Sequence, residues 1–134
     1  MIIFVACNFS TQRKFTKFNS MKVKDLIGLL DAKVICGQSH LDREVEFAFA
    51  SDLMSDVLTV EMPNIVLLTG NANIQTIRTA EMSEALTIIL VRNKKATPDM
   101  TKIAKENEMV LIEFNGSMFR ASGILYNAGI KPIY

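Results

Sequence analysis

Few residues of this sequence combine the types and spacing that enzyme chemistry requires. Asp52 and Asp56 are four residues apart, a spacing that places both carboxylates on one face of a helix, where they could hold a divalent cation. The alternative, which we favour, is that Asp52 stabilises the helix N-terminus and Asp56 is solvated. His40 is the only histidine, and the sequence shows no acid or base partner for it. We therefore predict no catalytic residue and no bound metal.

The signatures of familiar catalytic and nucleotide-binding sites are also absent from the sequence. It contains no G-x-x-x-x-G-K-[ST] phosphate loop, no G-x-G-x-x-G fingerprint and no G-x-S-x-G elbow. Cys7 and Cys36 are too far apart to match a zinc-site spacing, and we expect both to be reduced thiols. We predict that the chain is not an enzyme and has no cofactor. A hydrolase or transferase that uses Asp52 or His40 is the weakest alternative.

The composition indicates one ordered domain without a general affinity for polyanions. The chain has 134 residues, of which 49% are hydrophobic and 22% charged, and its formal net charge is +1. This balance excludes a disordered chain. It also gives no electrostatic reason to bind nucleic acid or an anionic membrane. We therefore expect neither of these partners.

Residues 1–20 do not share the pattern of the rest of the chain. The opening run, MIIFVAC, is too short to span a membrane and lacks the basic segment of a signal peptide. We predict a cytoplasmic protein in which residues 1–20 are an extension and residues 21–134 form a single domain. The alternative for the opening run is an added edge strand over residues 2–6.

Three apolar runs in the second half of the chain predict buried strands. These runs are residues 65–68, 86–91 and 109–114, and they are nearly continuous, as in strands that are covered on both faces. Between and after them, amphipathic segments predict helices over residues 74–82, 98–107 and 118–127, with Asn73, Thr97 and Ser117 as their N-caps. Strands alternating with helices are typical of a parallel sheet with right-handed crossovers.

The first half of the domain is less regular. We predict a helix over residues 23–30, a short strand over residues 33–36, and a helix over residues 52–58 that Ser51 caps. Residues 45–49 alternate between apolar and polar, which indicates a strand at a sheet edge or in a separate small sheet. The sequence thus predicts an α/β fold, a mainly parallel sheet between two layers of helices, with an additional edge strand or a small second sheet.

The turns that follow the three buried strands form the best candidate site. If those strands are parallel, their carboxyl ends meet at one edge of the sheet, where open α/β sheets bind ligands. The candidate ligand-binding residues are Thr69, Gly70, Asn71, Asn73, Arg78, Arg92, Asn115 and Ser117. Their hydroxyls, amides and cations suit a phosphate, a carboxylate or a nucleotide. The alternative is that they are only turn and cap residues, because turns and caps need the same residue types.

Three segments of the sequence resemble the DRTGG domain family. They are ASDLMSDVL (residues 50–58), NIVLLTGNANIQTIRTAEM (residues 64–82) and IILVRNKK (residues 88–95), and the resemblance extends from about residue 21 to residue 130. Thr69 and Gly70 stand where the family often has a Thr-Gly-Gly-like turn, and Asn71 replaces the second glycine. The Cβ of Asn71 limits how closely a ligand can approach the backbone there.

This resemblance implies a fold similar to the non-catalytic N-terminal domain of HPr kinase/phosphorylase. Such domains look like regulatory modules. They occur with CBS domains in some inorganic pyrophosphatases and with phosphotransacetylase, where they contribute to subunit association. The resemblance therefore implies a non-enzymatic regulatory or interaction module that self-associates as a homodimer. The alternative is a small-molecule sensor that binds a nucleotide or another anionic ligand at the carboxyl edge of the sheet.

Overall fold

The sheet and its helices are described by a computed structural model over residues 21–134. Residues 1–20, with the predicted extension, the alternative strand over residues 2–6 and Cys7, lie outside the described residues. The strands in chain order are β1 (Lys33–Cys36), β2 (Phe47–Ala50), β3 (Ile65–Thr69), β4 (Thr87–Leu90), β5 (Val110–Glu113) and β6 (Lys131–Pro132). The helices are α1 (Val23–Leu30), α2 (Met54–Val57), α3 (Ile74–Met82), α4 (Pro98–Glu106) and α5 (Met118–Asn127), and Gln38–His40 form a 3-10 turn.

The six strands of the described region form one sheet in the order β1-β5-β4-β3-β2-β6. All neighbours are parallel except β1, which pairs with β5 in the antiparallel sense at one edge. In the centre, Ile89 of β4 lies opposite Leu68 of β3 on one side and Ile112 of β5 on the other. The predicted parallel arrangement of the three buried strands is therefore confirmed.

The continuous apolar character of the central strands follows from burial on both faces. Leu67 and Ile88 pack with α2, α3 and α4 on one face of the sheet. Leu68 and Ile89 pack with α1 and α5 on the other face. All four of these side chains are at most 1% exposed. The sheet thus lies between two helical layers, and the predicted α/β/α class is confirmed.

One strand lies in a different place from the prediction. The alternating segment was expected at a sheet edge or in a separate sheet, but β2 lies inside the main sheet between β3 and β6. β6 pairs only with Phe47 and Ala48, so β2 remains partly exposed: its first three residues are half-buried and Ala50 is exposed. β6 itself has two residues, one of them Pro132, and such a short segment has no detectable period.

The start of α2 also differs from the prediction. The expected helix over residues 52–58 is shorter, with Leu53 as its N-cap, and it begins at Met54. Ser51 does not cap it: the Ser51 Oγ accepts a hydrogen bond from the Leu53 N–H at 3.0 Å, within a turn that precedes the helix. Asp52 is therefore outside the helix, and it does not share a helical face with Asp56.

The remaining helix ends agree with the caps expected from the sequence. Asn73 and Ser117 accept hydrogen bonds from Thr76 N–H and Arg120 N–H, each at 3.0 Å, and Thr97 accepts one from Met100 N–H at 3.2 Å. These caps fix the starts of α3, α4 and α5, and so they help to fix the turns and the loop that follow β3, β4 and β5.

Candidate functional site

The turns after β3, β4 and β5 meet at one edge of the sheet, which we call the carboxyl rim (residues 69–73, 91–94 and 114–117). Backbone hydrogen bonds connect them. Val91 N–H donates to the Thr69 carbonyl at 2.9 Å, and Arg92 N–H donates to the Gly116 carbonyl at 2.7 Å. Asn93 N–H also donates to the Phe114 carbonyl, at 3.2 Å. The structure therefore brings the three predicted turns together.

Asp52 lies at the centre of this rim and links it to the segment between β2 and α2. Its Oδ1 accepts hydrogen bonds from Thr69 Oγ1 at 3.0 Å and from Gly70 N–H at 2.7 Å. Its Oδ2 pairs with Arg92 Nη1 at 2.8 Å, and its carbonyl accepts a hydrogen bond from Asn71 Nδ2 at 3.2 Å. The Arg92 and Asp52 side chains remain 45% and 43% exposed. This is a hydrogen-bonded ion pair that solutes can reach.

The sequence prediction placed Asp52 at a helix terminus and did not include it in the site. The sequence did contain a signal for its position, because Asp52 lies two residues after the end of the strand at Ala50. If that strand had been predicted as a parallel member of the main sheet, its carboxyl end would have been expected at the same rim.

The surroundings of Asp52 lower the pKa of its carboxyl group. Partial burial alone would raise this pKa, since it disfavours the charged form. Hydrogen bonds from Arg92, from Gly70 N–H and from Thr69, together with the charge of Arg92, outweigh the burial and lower the pKa of Asp52. Asp52 is therefore an anion at neutral pH, and it partly neutralises Arg92.

Gly70 makes room for the Arg92 side chain. A Cβ on residue 70 would lie 2.2 Å from Arg92 Nη2 and 2.3 Å from Arg92 Cζ, so any side chain there would require Arg92 to move. Arg92 and Asn93 both have left-handed backbone conformations, with φ of 61° and 58°. Such conformations are unfavourable for residues other than glycine and are most frequent at turns and functional sites. The turn after β4 therefore aims the guanidinium group across the turn after β3.

The turn between β3 and α3 is held by its own side chains. Asn71 N–H donates to Thr69 Oγ1 at 3.1 Å, and Asn73 Nδ2 donates to Asn71 Oδ1 at 3.0 Å. Thr76 Oγ1 donates to the Asn71 carbonyl at 2.7 Å. Asn71, which replaces the expected second glycine, thus serves as a connecting residue. The turn is therefore preorganised. Asn73 acts as a cap residue, as the turn-and-cap alternative expected, and this role does not exclude a ligand.

Two of the predicted site residues take no part in this network, and a third is a cap. Arg78 is exposed on α3, and Asn115 is exposed in the turn after β5. Neither makes a side-chain hydrogen bond or an ion pair within residues 21–134. Ser117 caps α5. The residues that the structure connects are Thr69, Gly70, Asn71, Asn73 and Arg92, with Asp52 added.

Glu113, at the end of β5, contacts the loop between β4 and α4 next to the carboxyl rim. Its side chain is only 8% exposed, its Oε2 accepts a hydrogen bond from Ala96 N–H at 2.8 Å, and its Oε1 lies 3.6 Å from Lys95 Nζ. The carboxylate therefore fixes the loop between β4 and α4, which also carries Arg92. The sequence prediction treated Glu113 only as part of an apolar run.

The other potentially reactive side chains of the described residues lie outside the carboxyl rim or are in surroundings that make them unreactive. Cys36 is buried, and burial raises the pKa of its thiol, which keeps it protonated and unreactive. His40 is half-buried in the 3-10 turn. Between residues 21 and 134, no group of three or more His, Cys, Asp or Glu side chains could hold a metal ion. In the same region no helix combines the length and the apolar character needed to cross a membrane.

Comparison with known proteins shows a similarity to a solved structure. No protein-family model and no curated protein matches the sequence. The crystal structure of the CBS and DRTGG domains of the regulatory region of Clostridium perfringens pyrophosphatase, in complex with its activator diadenosine tetraphosphate, aligns with 84% of this chain. The TM-score is 0.64 and the sequence identity is 11%.

The chain has a DRTGG-like fold. The resemblance to this family that was expected from the sequence is thereby confirmed at the level of fold. The alignment covers 48% of the clostridial chain, so the DRTGG-like fold described here spans about half of that regulatory region. The carboxyl rim is the part of this fold in which charged and polar groups of three chain segments, those of Asp52, residues 69–71 and Arg92, converge.

Proposed function

We propose that this chain is a non-catalytic regulatory module that senses an anionic small molecule, such as a nucleotide, at the carboxyl rim. The observation that carries the proposal is the position of Arg92, whose half-exposed guanidinium lies across Gly70 where three turns meet. Guanidinium groups bind phosphate oxygens in a two-pronged geometry. The structural similarity to a regulatory region in complex with a dinucleotide activator supports the same class of function.

The surroundings of Arg92 favour an anion over other ligands. α3 and α5 begin directly after rim turns, on opposite faces of the sheet, so the positive ends of their dipoles are close to the rim. Lys94 and Arg78 add exposed positive charge nearby in the sequence. Together these groups can balance the charge of a phosphate chain.

The rim is not suited to acid–base catalysis. A general base works best when its pKa lies near the working pH. The pKa of Asp52 is lowered by its hydrogen-bond donors, which makes the carboxylate a weak base. We therefore propose that the chain regulates or assembles with other proteins and does not catalyse a reaction.

A binding experiment tests this proposal. The full chain would be titrated with AMP, ATP and diadenosine tetraphosphate, and its melting temperature would be followed. A ligand at about one hundred times its Kd adds about 2.7 kcal/mol of stability, which raises the melting temperature by several degrees. Arg92→Gln should lose this shift.

Lys24→Gln is the matched control, because Lys24 is also exposed and also in an ion pair, with Asp42 at 3.0 Å, but outside the rim. It should keep the full shift. No shift with any nucleotide contradicts the proposal. An equal loss in both variants would indicate non-specific attraction to charge.

Self-association is a second proposed property, and the outer face of α5 favours it. Phe119 and Tyr126 are 89% and 60% exposed, and they are seven residues apart on the same side of the helix. Gly123 lies between them, and a Cβ there would meet nothing within 4 Å. Leu29 of the neighbouring α1 is also 46% exposed. A second copy of the chain, related by a two-fold axis, could cover this apolar stripe with its own.

Analytical ultracentrifugation over a wide range of protein concentration tests the dimer. The wild type should be dimeric, and Phe119→Ser should be monomeric. Met82→Ser is the control, because Met82 is 74% exposed but lies on α3, on the opposite face of the sheet. It should remain dimeric. A wild type that stays monomeric at all concentrations contradicts self-association.

A further inference from the structure

The Asp52 carboxylate occupies an anion-binding arrangement at the carboxyl rim. It receives hydrogen bonds from a hydroxyl, a backbone N–H and a guanidinium group, which belong to Thr69, Gly70 and Arg92. These are the donor types that hold phosphate and carboxylate groups of ligands in proteins. Both carboxylate oxygens are used, so the chain places its own anion where a ligand anion would have the best donors.

This internal anion can be exchanged. The two side chains of the ion pair are almost half exposed, and exposed ion pairs contribute little to stability. Asp52 also comes from outside the turns that supply its donors. It lies between Ser51, whose N–H donates to the Leu68 carbonyl at 3.0 Å, and the short helix α2. The Asp52 side chain can therefore rotate away from its donors while the backbone of its segment and the donors remain in place.

We propose that Asp52 is a built-in competitor of the ligand at the rim. This inference rests on the proposed function, because it assumes that an anionic ligand binds there. The ligand displaces the Asp52 carboxylate and takes over the hydrogen bonds of Thr69, Gly70 and Arg92. The turn that contains Asp52, residues 51–53, also carries Leu53, which is 57% exposed, whereas Met54 and Val57 keep α2 packed in the core. Ligand binding thereby changes the polar surroundings of an exposed apolar side chain that a partner protein can contact.

The opposite role for Asp52 is that of a positioning residue, which holds Arg92 ready for the ligand. The two roles predict opposite effects of removing the charge. A competitor opposes binding, so its removal strengthens binding. A positioning residue supports binding, so its removal weakens binding.

Isothermal titration of the full chain with ATP distinguishes these roles. Asp52→Asn should bind ATP about tenfold more tightly than the wild type, which corresponds to about 1.4 kcal/mol. Asp56→Asn is the matched control, because Asp56 is an exposed aspartate on α2 that is outside the rim network. Its affinity should remain close to that of the wild type. Unchanged or weaker binding by Asp52→Asn overturns this inference, and so does an equal gain in both variants.

A measurement on the wild type does not depend on how well the variant folds. In an amide NMR titration with ATP, the resonances of Gly70, Ser51 and Leu53 should shift together. Shifts at Gly70 with no change at Ser51 and Leu53 overturn the displacement of Asp52. Binding of ATP, AMP or diadenosine tetraphosphate by neither the wild type nor Asp52→Asn overturns the proposed function as well. Binding by the wild type without a gain in the variant overturns only this inference.

Discussion

The guanidinium group of Arg92 lies so close to Gly70 that a Cβ on residue 70 would be 2.2 Å from Nη2. The glycine is required here by the position of another side chain, because Gly70 does not have a positive φ. Since Arg92 in turn pairs with Asp52, the lack of a side chain at Gly70 determines where the ion pair of the rim can form.

Gly70→Ala should displace Arg92 at a modest cost in stability. The clash involves the end of a flexible side chain, which can turn away, so the loss is that of an exposed ion pair, up to about 1 kcal/mol. Urea unfolding gives the change in stability, and NMR of the arginine side chains reports the displacement. An Arg92 side chain with unchanged resonances in the variant would contradict this expectation.

Gly37→Ala should be more harmful than Gly70→Ala. Gly37 has a φ of 90°, and a Cβ there would lie 2.7 Å from the Met109 carbonyl oxygen and 2.7 Å from Val110 Cα, which are backbone atoms that cannot turn away. Backbone strain and overpacking each cost about 1–3 kcal/mol, and we expect a loss of at least 2 kcal/mol. Gly28→Ala, in α1 with open space around the added Cβ, is the control. It should stabilise the fold by about 0.5–1 kcal/mol. A smaller loss for Gly37→Ala than for Gly70→Ala is the contrary result.

Asn73→Ala should destabilise the fold by about 1 kcal/mol, because it removes the cap of α3. Asn73→Asp separates the accepting role of this side chain from its donating role, since it keeps an acceptor for the N–H and Oγ1 of Thr76 and removes the donor to Asn71. It should therefore recover most of the lost stability. Ser117→Ala, which removes the equivalent cap of α5, provides the reference for a cap without a connecting role. Thermal unfolding of the variants measures these differences. Equal losses in Asn73→Asp and Asn73→Ala would show that the cap is not the stabilising contact.

Asp52 should make the stability of the fold sensitive to acid. Its pKa is lower in the folded protein, so the unfolded chain takes up a proton first as the pH falls. The stability that Asp52 contributes is complete above its ordinary pKa of 3.8 and is lost as the pH falls towards the folded value. Because the group is nearly half exposed, we expect the contribution to be at most about 1 kcal/mol.

Urea unfolding at neutral pH and at about pH 3 measures this contribution. The wild type should lose more stability between the two conditions than Asp52→Asn. The exposed pair of Asp42 with Lys24, which also lowers the pKa of Asp42, is present in both proteins and cancels in the comparison. Equal losses in the two proteins would show that Asp52 has an ordinary pKa in the folded state.

The second half of the fold was predictable because its sequence signals are local and agree with one another. Apolar runs buried on both faces gave β3, β4 and β5. The side-chain caps Asn73, Thr97 and Ser117 gave the helix starts. The meeting of three turns at one rim then follows from parallel pairing alone.

The missed features depend on contacts between distant parts of the chain. The place of β2 inside the sheet depends on β6, which is too short to show a pattern. The role of Asp52 depends on donors that are 17, 18 and 40 positions away along the chain. The buried carboxylate of Glu113 is explained by the backbone N–H of Ala96, 17 positions earlier, and by the neighbouring Lys95. Local periodicity contains no information on such contacts.

The last strand has a consequence for how copies of this protein can meet. Within the described residues β6 is the outermost strand on its side, and Pro132 has no N–H to offer a further strand, while Lys131 adds a charge beside it. Growth of the sheet into a neighbouring molecule is discouraged at that margin. Lys131 and Pro132 thus protect the sheet against edge-to-edge aggregation. A chain shortened before Lys131 should be more prone to form fibrils through the side of β2 that β6 covers.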